Sequence, residues 1–441
     1  MKKIIIYLFL SVSLFGTAQN SYNLNEAVAF AIENAYAIKN AKLDIDKAQK
    51  KKWETTTMGL PQINGSVDYQ NFLKQPVSLL PAEIFGGPAG SFAEVSFGTK
   101  QNINASATLS QLLFDGSYLV GLQSAKVYLK ISELAKEKTK IGIKDAVINA
   151  YGNVLLAKES IQILEGNLKL MTKNIQDTQK IFENGFAEEQ DVEQLQITKS
   201  SIESQLSNAK RMLTVAKNML KLTMGIPMNE TITLKDTLDI LALQNSDLEL
   251  TKQDFNIDNH IDYKMEKNAI RSKELLLKLE KSKYLPSLST FVNLGTKANN
   301  DKFTFTNTNQ RWFASSIFGV SLNVPIFSSF KRKSRVAQAK IALEQEKTNL
   351  TEIEQKLQLQ VANAKNSYQF ALDNLKIAKE RMALAERIEK KEKIKFFEGV
   401  GSSFNLTQAQ AQLFSTQQNY LQAIVNIIST KAKLETALNI K

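Results

Sequence analysis

The chain contains no cysteine. That excludes disulfides, thiolate metal sites and a lipid anchor on an N-terminal Cys. An exported chain without Cys suits a bacterial envelope better than a disulfide-stapled secreted domain. There is one histidine, His260. Histidine is the commonest metal ligand and general base, and a single copy on the polar segment 257–261 reads as a solvated surface residue. No Gly-x-Ser-x-Gly elbow, metal-ligating cluster or convergent acid pair is found, so neither an enzyme nor a cofactor is expected. Long apolar runs are scarce as well. Beyond residues 4–15, nothing approaches the ~20 apolar residues that a membrane helix requires. A membrane role must therefore use β-strands. Neither proline nor glycine interrupts residues 330–396, which leaves room for a very long helix.

At the N-terminus, Lys2 and Lys3 precede the apolar run Ile4–Phe15, and Gly16-Thr17-Ala18 offers small residues for cleavage. Residues 1–18 read as a secretory signal peptide. The formal net charge is +12. Lysines alternate with glutamates along predicted helices, as in Lys340–Lys347, which is the pattern of a solvated helix face and not of a nucleic-acid surface.

The remainder reads as one half written twice. An offset of 214 carries Gly185 onto Gly399 and Asp191-Val192-Glu193-Gln194 onto Asn405-Leu406-Thr407-Gln408. The same offset carries Leu222-Thr223-Met224-Gly225-Ile226 onto Thr436-Ala437-Leu438-Asn439-Ile440. Residues 19–225 form the first structural repeat and 260–441 the second. Residues 226–259 form a linker that packs as a small side segment. Each repeat predicts a helix, two strands, a long helix, a glycine turn and a second long helix.

Small and apolar residues at three- and four-residue spacing predict a helix over Leu24–Thr56. Ile63, Val67 and Tyr69 then alternate with Asn64, Ser66, Asp68 and Gln70, and Ile103 to Leu109 alternates with Asn102 to Ser110. The span Gln75–Gln101, rich in proline and glycine, reads as a loop. Weaker alternation recurs at Leu288–Leu294 and Phe318–Val324, around a polar loop Lys297–Arg311. Strands with one polar and one apolar face suit an outer-membrane barrel; a soluble sandwich with one wet face gives the same alternation. From Val336 through Leu343, Leu350 and Leu357 to Ala385, apolar residues recur every seven, with Val361, Tyr368, Leu375 and Met382 beside them: a heptad seam. Four strands cannot close a barrel, which needs about eight. Open edges in lipid leave unpaired backbone groups, so strands of this kind in a membrane require several chains. A soluble periplasmic coiled-coil adaptor or scaffold is the alternative, although it has no need of two such strand pairs.

The paired turns Phe182-Glu183-Asn184-Gly185-Phe186-Ala187 and Phe397-Glu398-Gly399-Val400-Gly401-Ser402-Ser403 carry a resemblance, as do Leu60-Pro61 and Leu285-Pro286 before the strands and Leu113-Phe114-Asp115-Gly116 and Pro325-Ile326-Phe327-Ser328 after them. In this order the chain resembles the TolC family of outer-membrane efflux proteins, and its first long loop resembles members from Bacteroidetes-like bacteria. The resemblance implies a mixed α and β membrane protein in the outer membrane of a Gram-negative cell. It implies a homotrimer with a shared twelve-stranded barrel in outer-membrane lipid and a long periplasmic α-barrel. It further implies passive export of drugs, toxic compounds or proteins with a periplasmic adaptor (membrane fusion protein) and an inner-membrane pump of the resistance-nodulation-division or ATP-binding cassette type. By the same resemblance, Asp191, Glu398, Thr407 and Gln410 belong to the periplasmic gate. Gly185, Phe186, Gly399, Val400, Gly401, Ser402 and Ser403 meet the adaptor. Thr407 and Gln410 stand where some members carry aspartates, which implies a constriction without an acidic ring. On their own chemistry, Asp191 is an acid favourably placed at a helix N-terminus, and Gly185, Gly399 and Gly401 are helix-ending turn glycines.

Overall fold

A computed structural model describes residues 20–440; the expected export signal, residues 1–18, lies outside them. The chain begins with β1 (Asn20–Tyr22), α1 (Leu24–Asn34) and α2 (Tyr36–Thr57), followed by β2 (Gln62–Asn71), β3 (Val77–Pro81), β4 (Phe92–Ser96) and β5 (Gln101–Asp115). Next come α3 (Gly116–Glu183), α4 (Glu189–Met224), β6 (Ile232–Leu234), α5 (Leu238–Gln244) and α6 (Ile261–Ser282). The chain closes with β7 (Ser287–Asn300), β8 (Phe313–Asn323), α7 (Lys331–Phe397) and α8 (Ser403–Leu438). It is a mixed, predominantly helical fold and divides into two compact units.

One unit comprises Ile45–Ile131 and Lys267–Thr348. It holds an antiparallel sheet in the order β2-β5-β7-β8, whose register sorts side chains by polarity. Ile63 pairs with Leu109, Val67 with Ala105 and Tyr69 with Ile103, while Val292 pairs with Leu109 and with Phe318. These residues share one face, and Ile63 (73% exposed) and Phe318 (72%) stand open. The other face carries Asn64, Ser66 and Asp68 opposite Thr108, Ser106 and Asn104. It is tied by hydrogen bonds, Asn293 Nδ2 to Thr108 Oγ1 at 2.6 Å and Ser66 Oγ to Ser106 Oγ at 3.1 Å. Among the described residues, β2 and β8 each lack a strand on their outer edge. The strands extend beyond the alternating cores seen in the sequence, because backbone pairing continues where side chains stop alternating. The expected loop 75–101 is partly structured: β3 and β4 pair as an antiparallel ribbon, with Pro81 at a strand end, where its missing N–H does least harm.

The other unit comprises the chain up to Asp44, Ser132–Glu266 and the chain from Asn349. Its core gathers Val147, Tyr151 and Leu155 of α3, Leu220 and Met224 of α4, Val361 and Tyr368 of α7 and Ile424 to Leu434 of α8. β1 and β6 form a small parallel pair, so the segment 226–259 packs into this core through Ile232, Leu238 and Leu241. The helix expected over Leu24–Thr56 is two helices. Asn23 accepts from Glu26 N at 2.8 Å and Glu26 accepts from Asn23 N at 2.9 Å, a reciprocal cap that starts α1. The chain then breaks at Ala35, whose ψ is 139°. Gly225, with φ +77°, fits against this break: a Cβ there would lie 2.4 Å from the Asn34 carbonyl oxygen.

His260 is not a solvated surface residue. It is 3% exposed, its ring lies 6.2 Å from that of Phe255, and its Nδ1 accepts from Asp262 N at 3.2 Å. The residue caps α6, a role that its polar sequence neighbours hide.

Candidate gate and docking turns

α3 ends where Gly185 takes φ +79°. Gly185 N donates to Phe182 O at 2.8 Å and Phe186 N to Ile181 O at 3.0 Å. This nested pair satisfies the carbonyls left over at a helix end. α7 ends in the same way: Gly399 has φ +75°, Gly399 N donates to Phe396 O at 3.1 Å and Val400 N to Lys395 O at 2.9 Å. Across each turn a new helix starts. At α4, Glu188 N donates to Asp191 Oδ2 at 3.1 Å; at α8, Asn405 N donates to Ser402 Oγ at 3.3 Å. Asp191 therefore closes the first turn of its own helix.

The two turns lie side by side. A hollow of about 850 Å³ is lined by Gly185, Phe186, Glu188 and Asp191 from one and by Glu398, Gly399, Gly401, Ser402 and Ser403 from the other. Phe186 (85% exposed) and Val400 (77%) project outward. Glu398 and Ser402 are exposed, whereas Ser403 is buried. Phe404, next to Ser403 at the start of α8, is 68% exposed and adds a further open apolar side chain. Gly401 is constrained sterically: a Cβ there would lie 3.0 Å from Lys395 Cβ.

Gln410 is fully buried, and Thr407 is half-buried. Gln410 Oε1 and Nε2 and Thr407 Oγ1 find no hydrogen-bond partner among the described residues, and the same holds for both amide atoms of Asn174, for Thr178 Oγ1 and for Glu389 Oε1. Nearer the core the polar pairs are satisfied, Ser160 with Gln418 at 3.1 Å and Asn167 with Gln417 at 3.2 Å. The helix packing thus turns polar and under-bonded in the last turns before Gly185 and Gly399. A signal was available in the sequence. Glu389 occupies the seventh-residue series Val361, Tyr368, Leu375, Met382, Glu389, Phe396, where an apolar residue is the rule.

Uninterrupted helices closed by two matching turns, together with a sheet wet on one face and apolar on the other, define a membrane channel fold. The sequence matches the outer membrane efflux protein family over residues 28–226 and 267–439, and the chain belongs to that family. The fold is similar to that of VceC from Vibrio cholerae (13% identity, TM-score 0.69, covering 94% of this chain and 95% of that one). It also resembles CmeC from Campylobacter jejuni (17%, 0.69, 94% and 85%) and the channel CusC (19%, 0.70, 94% and 92%). Among curated proteins none matches the sequence. The protein is an outer-membrane channel of tripartite efflux, a transporter and not an enzyme.

Proposed function

We propose that three copies of the chain join their four-stranded sheets into one twelve-stranded barrel and their long helices into a periplasmic tube through which cargo leaves passively. The observation that carries this reading is the sheet itself: one apolar face, one polar face and two outer edges without a partner strand. In lipid each orphan backbone group costs several kcal/mol, and closure with other copies removes both edges. The helices support the same arrangement. A groove between α3 and α4, lined by Ala146, Ala150, Ala157, Met212 and Met219, is open. α7 presents Phe370, Ile377 and Leu384, exposed and seven residues apart. A groove and a ridge on one chain make a head-to-tail contact that generates a ring when the rotation closes.

In this reading the chain is an internal duplication, residues 19–225 and 260–441 joined by 226–259, behind an export signal at 1–18. α3 and α7 run to 68 and 67 residues, and α4 and α8 to 36 each. The turns form the pump-facing end. Phe186, Val400 and the backbone of Gly185, Gly399, Gly401, Ser402 and Ser403 receive the helical hairpin of a periplasmic adaptor. That adaptor links to a resistance-nodulation-division or ATP-binding cassette pump. Asp191, Glu398, Thr407 and Gln410 form the gate, with the under-bonded layer behind them as the place where helices part most cheaply, since buried polar groups without partners cost about 1–3 kcal/mol each. Chemical crosslinking of the detergent-extracted protein should saturate at three chains. A folded monomer that stays soluble without detergent would overturn the reading.

A further inference from the structure

Resting on the barrel reading, we propose that the helix-side rim of the sheet is a docking surface for anionic phospholipid headgroups of the adjoining membrane leaflet. All four strands meet helices at this end, in residues 45–57, 116–131, 277–285 and 328–341 of the sheet-bearing unit. These stretches hold fourteen lysines and arginines but only three acids, Asp46, Glu54 and Glu280. The whole chain carries +12, so nearly all of its excess charge is concentrated here. Asp115, at the same rim, is occupied in capping α3 through the N–H groups of Ser117 (2.6 Å) and Tyr118 (2.9 Å).

Aromatic and apolar side chains accompany the charge. Trp53, Tyr284, Phe327 and Phe330 are exposed, Phe327 at 75%, and Ile326 at 90%. The Arg332 guanidinium sits 5.0 Å over the Tyr284 ring and donates to Pro325 O at 2.8 Å, which holds the start of α7 against the end of α6. Lys331, Lys333 and Arg335 project outward from that start, and the first acid on α7 is Glu344. Open rings and aliphatic groups at this density belong at a bilayer interface. Basic clusters beside membrane segments attract anionic lipid, each charge adding to the affinity. A solvated helix face, by contrast, carries mixed charges, as α7 does beyond Glu344.

The chain has two tryptophans, and they report on opposite ends of the sheet. Trp53 lies on the basic rim, and Trp312 precedes β8 at the end where β7 and β8 are joined. The full-length channel would be reconstituted in phosphatidylcholine vesicles containing a small, equal fraction of chain-brominated phosphatidylglycerol or chain-brominated phosphatidylcholine. With Trp312→Phe, Trp53 fluorescence should show an apparent preference for phosphatidylglycerol of roughly fivefold or more, weakening with added salt. The triple variant Lys331→Glu, Lys333→Glu, Arg335→Glu should weaken the preference, and an unchanged preference would overturn the proposal. With Trp53→Phe, Trp312 should be quenched by both lipids without preference. Equal quenching of Trp53 by both lipids, with Trp312 quenched, overturns the headgroup proposal and leaves the barrel reading standing. No quenching of either tryptophan overturns the barrel reading itself. Abolition of the preference by millimolar inorganic phosphate would show a site for free anions and also overturn the proposal.

Discussion

The hydroxyl of Tyr151, midway along α3, lies 2.8 Å from Oδ2 of Asp236, just after β6. The same oxygen accepts from Leu24 N at 2.7 Å, so one carboxylate joins the long helix, the segment 226–259 and the start of α1. Burial pushes the Tyr151 hydroxyl far above its ordinary range, and the neighbouring Asp236 carboxylate pushes it the same way. The phenol is therefore a donor at neutral pH. Tyr368 of α7 does similar work further along, 2.7 Å from Asn245 O and 3.0 Å from Asp247 N. Tyr151→Phe should cost about 1.5–3 kcal/mol, as for a bond to a charged group, and Tyr368→Phe about 1 kcal/mol. Thermal unfolding followed by circular dichroism measures both, together with protease sensitivity of 226–259. Unchanged melting in Tyr151→Phe would remove the clamp from the account.

His260 should make this unit acid-sensitive. Burial holds its imidazole below the ordinary 6.5; Asp262 pulls upward, and Lys138, itself 2.8 Å from Asp262, pushes down. The folded state thus takes up its proton at lower pH than the unfolded chain. The stabilising contribution is complete above about pH 6.5 and is lost as pH falls from there through the folded value. Nδ1 must also stay unprotonated to accept from Asp262 N. The melting difference between the parent and His260→Gln, measured from pH 7.5 to 5, should shrink toward acid. A flat difference contradicts the assignment.

Two glycines with nearly the same φ should respond differently. At Gly225 a Cβ would lie 2.4 Å from Asn34 O; at Gly185 it would meet nothing within 4 Å. Gly185→Ala should cost only the left-handed conformation, about 1–2 kcal/mol, whereas Gly225→Ala adds a backbone clash and should impair folding outright. The position offset by 214 from Gly225 is Asn439, which takes the same left-handed backbone with φ 57°. Yields of extracted, heat-resistant assembly report the ranking, and equal yields would contradict it.

Gating should follow the polar layer. Gln410→Leu removes two unsatisfied buried atoms and should raise stability by about 1–3 kcal/mol while lowering conductance in planar bilayers. Asp191→Ala frees Glu188 N at the first turn of α4 and should act in the opposite direction, loosening closure and raising conductance. Conductance unmoved by both would place the constriction elsewhere.

Under the proposed function, docking should depend on the exposed rim. Phe186→Glu and Val400→Glu replace open side chains, so assembly should survive while efflux of a toxic dye falls several-fold in cells. Full efflux in the double variant would move the adaptor contact away from these turns.

Much of this molecule is legible in local pattern. Heptad spacing in a stretch free of proline and glycine locates α7 to within a residue at each end, because a helix face repeats along the chain and needs no distant partner. Alternation finds the four sheet strands for the same reason. The glycine turns, too, are visible from one offset between two stretches of sequence. Where polarity and position disagree, local reading fails. His260 looks wet from its neighbours and is buried by Phe255 from outside the turn. β1, three residues long, exists only because β6 lies beside it, more than two hundred residues away. The break at Ala35 depends on Gly225, and the ribbon of β3 and β4 on pairing across a proline- and glycine-rich span.

The sequence by itself determined the export-compatible composition, the order of strands and long helices and the extents of the longest helices, since these depend on residues a few positions apart. Only the tertiary structure decided which polar side chains are interior. Asn174 and Thr178 look like ordinary solvated positions one at a time. They are enclosed when the helices pack, because burial is a property of what surrounds a side chain and not of the side chain alone.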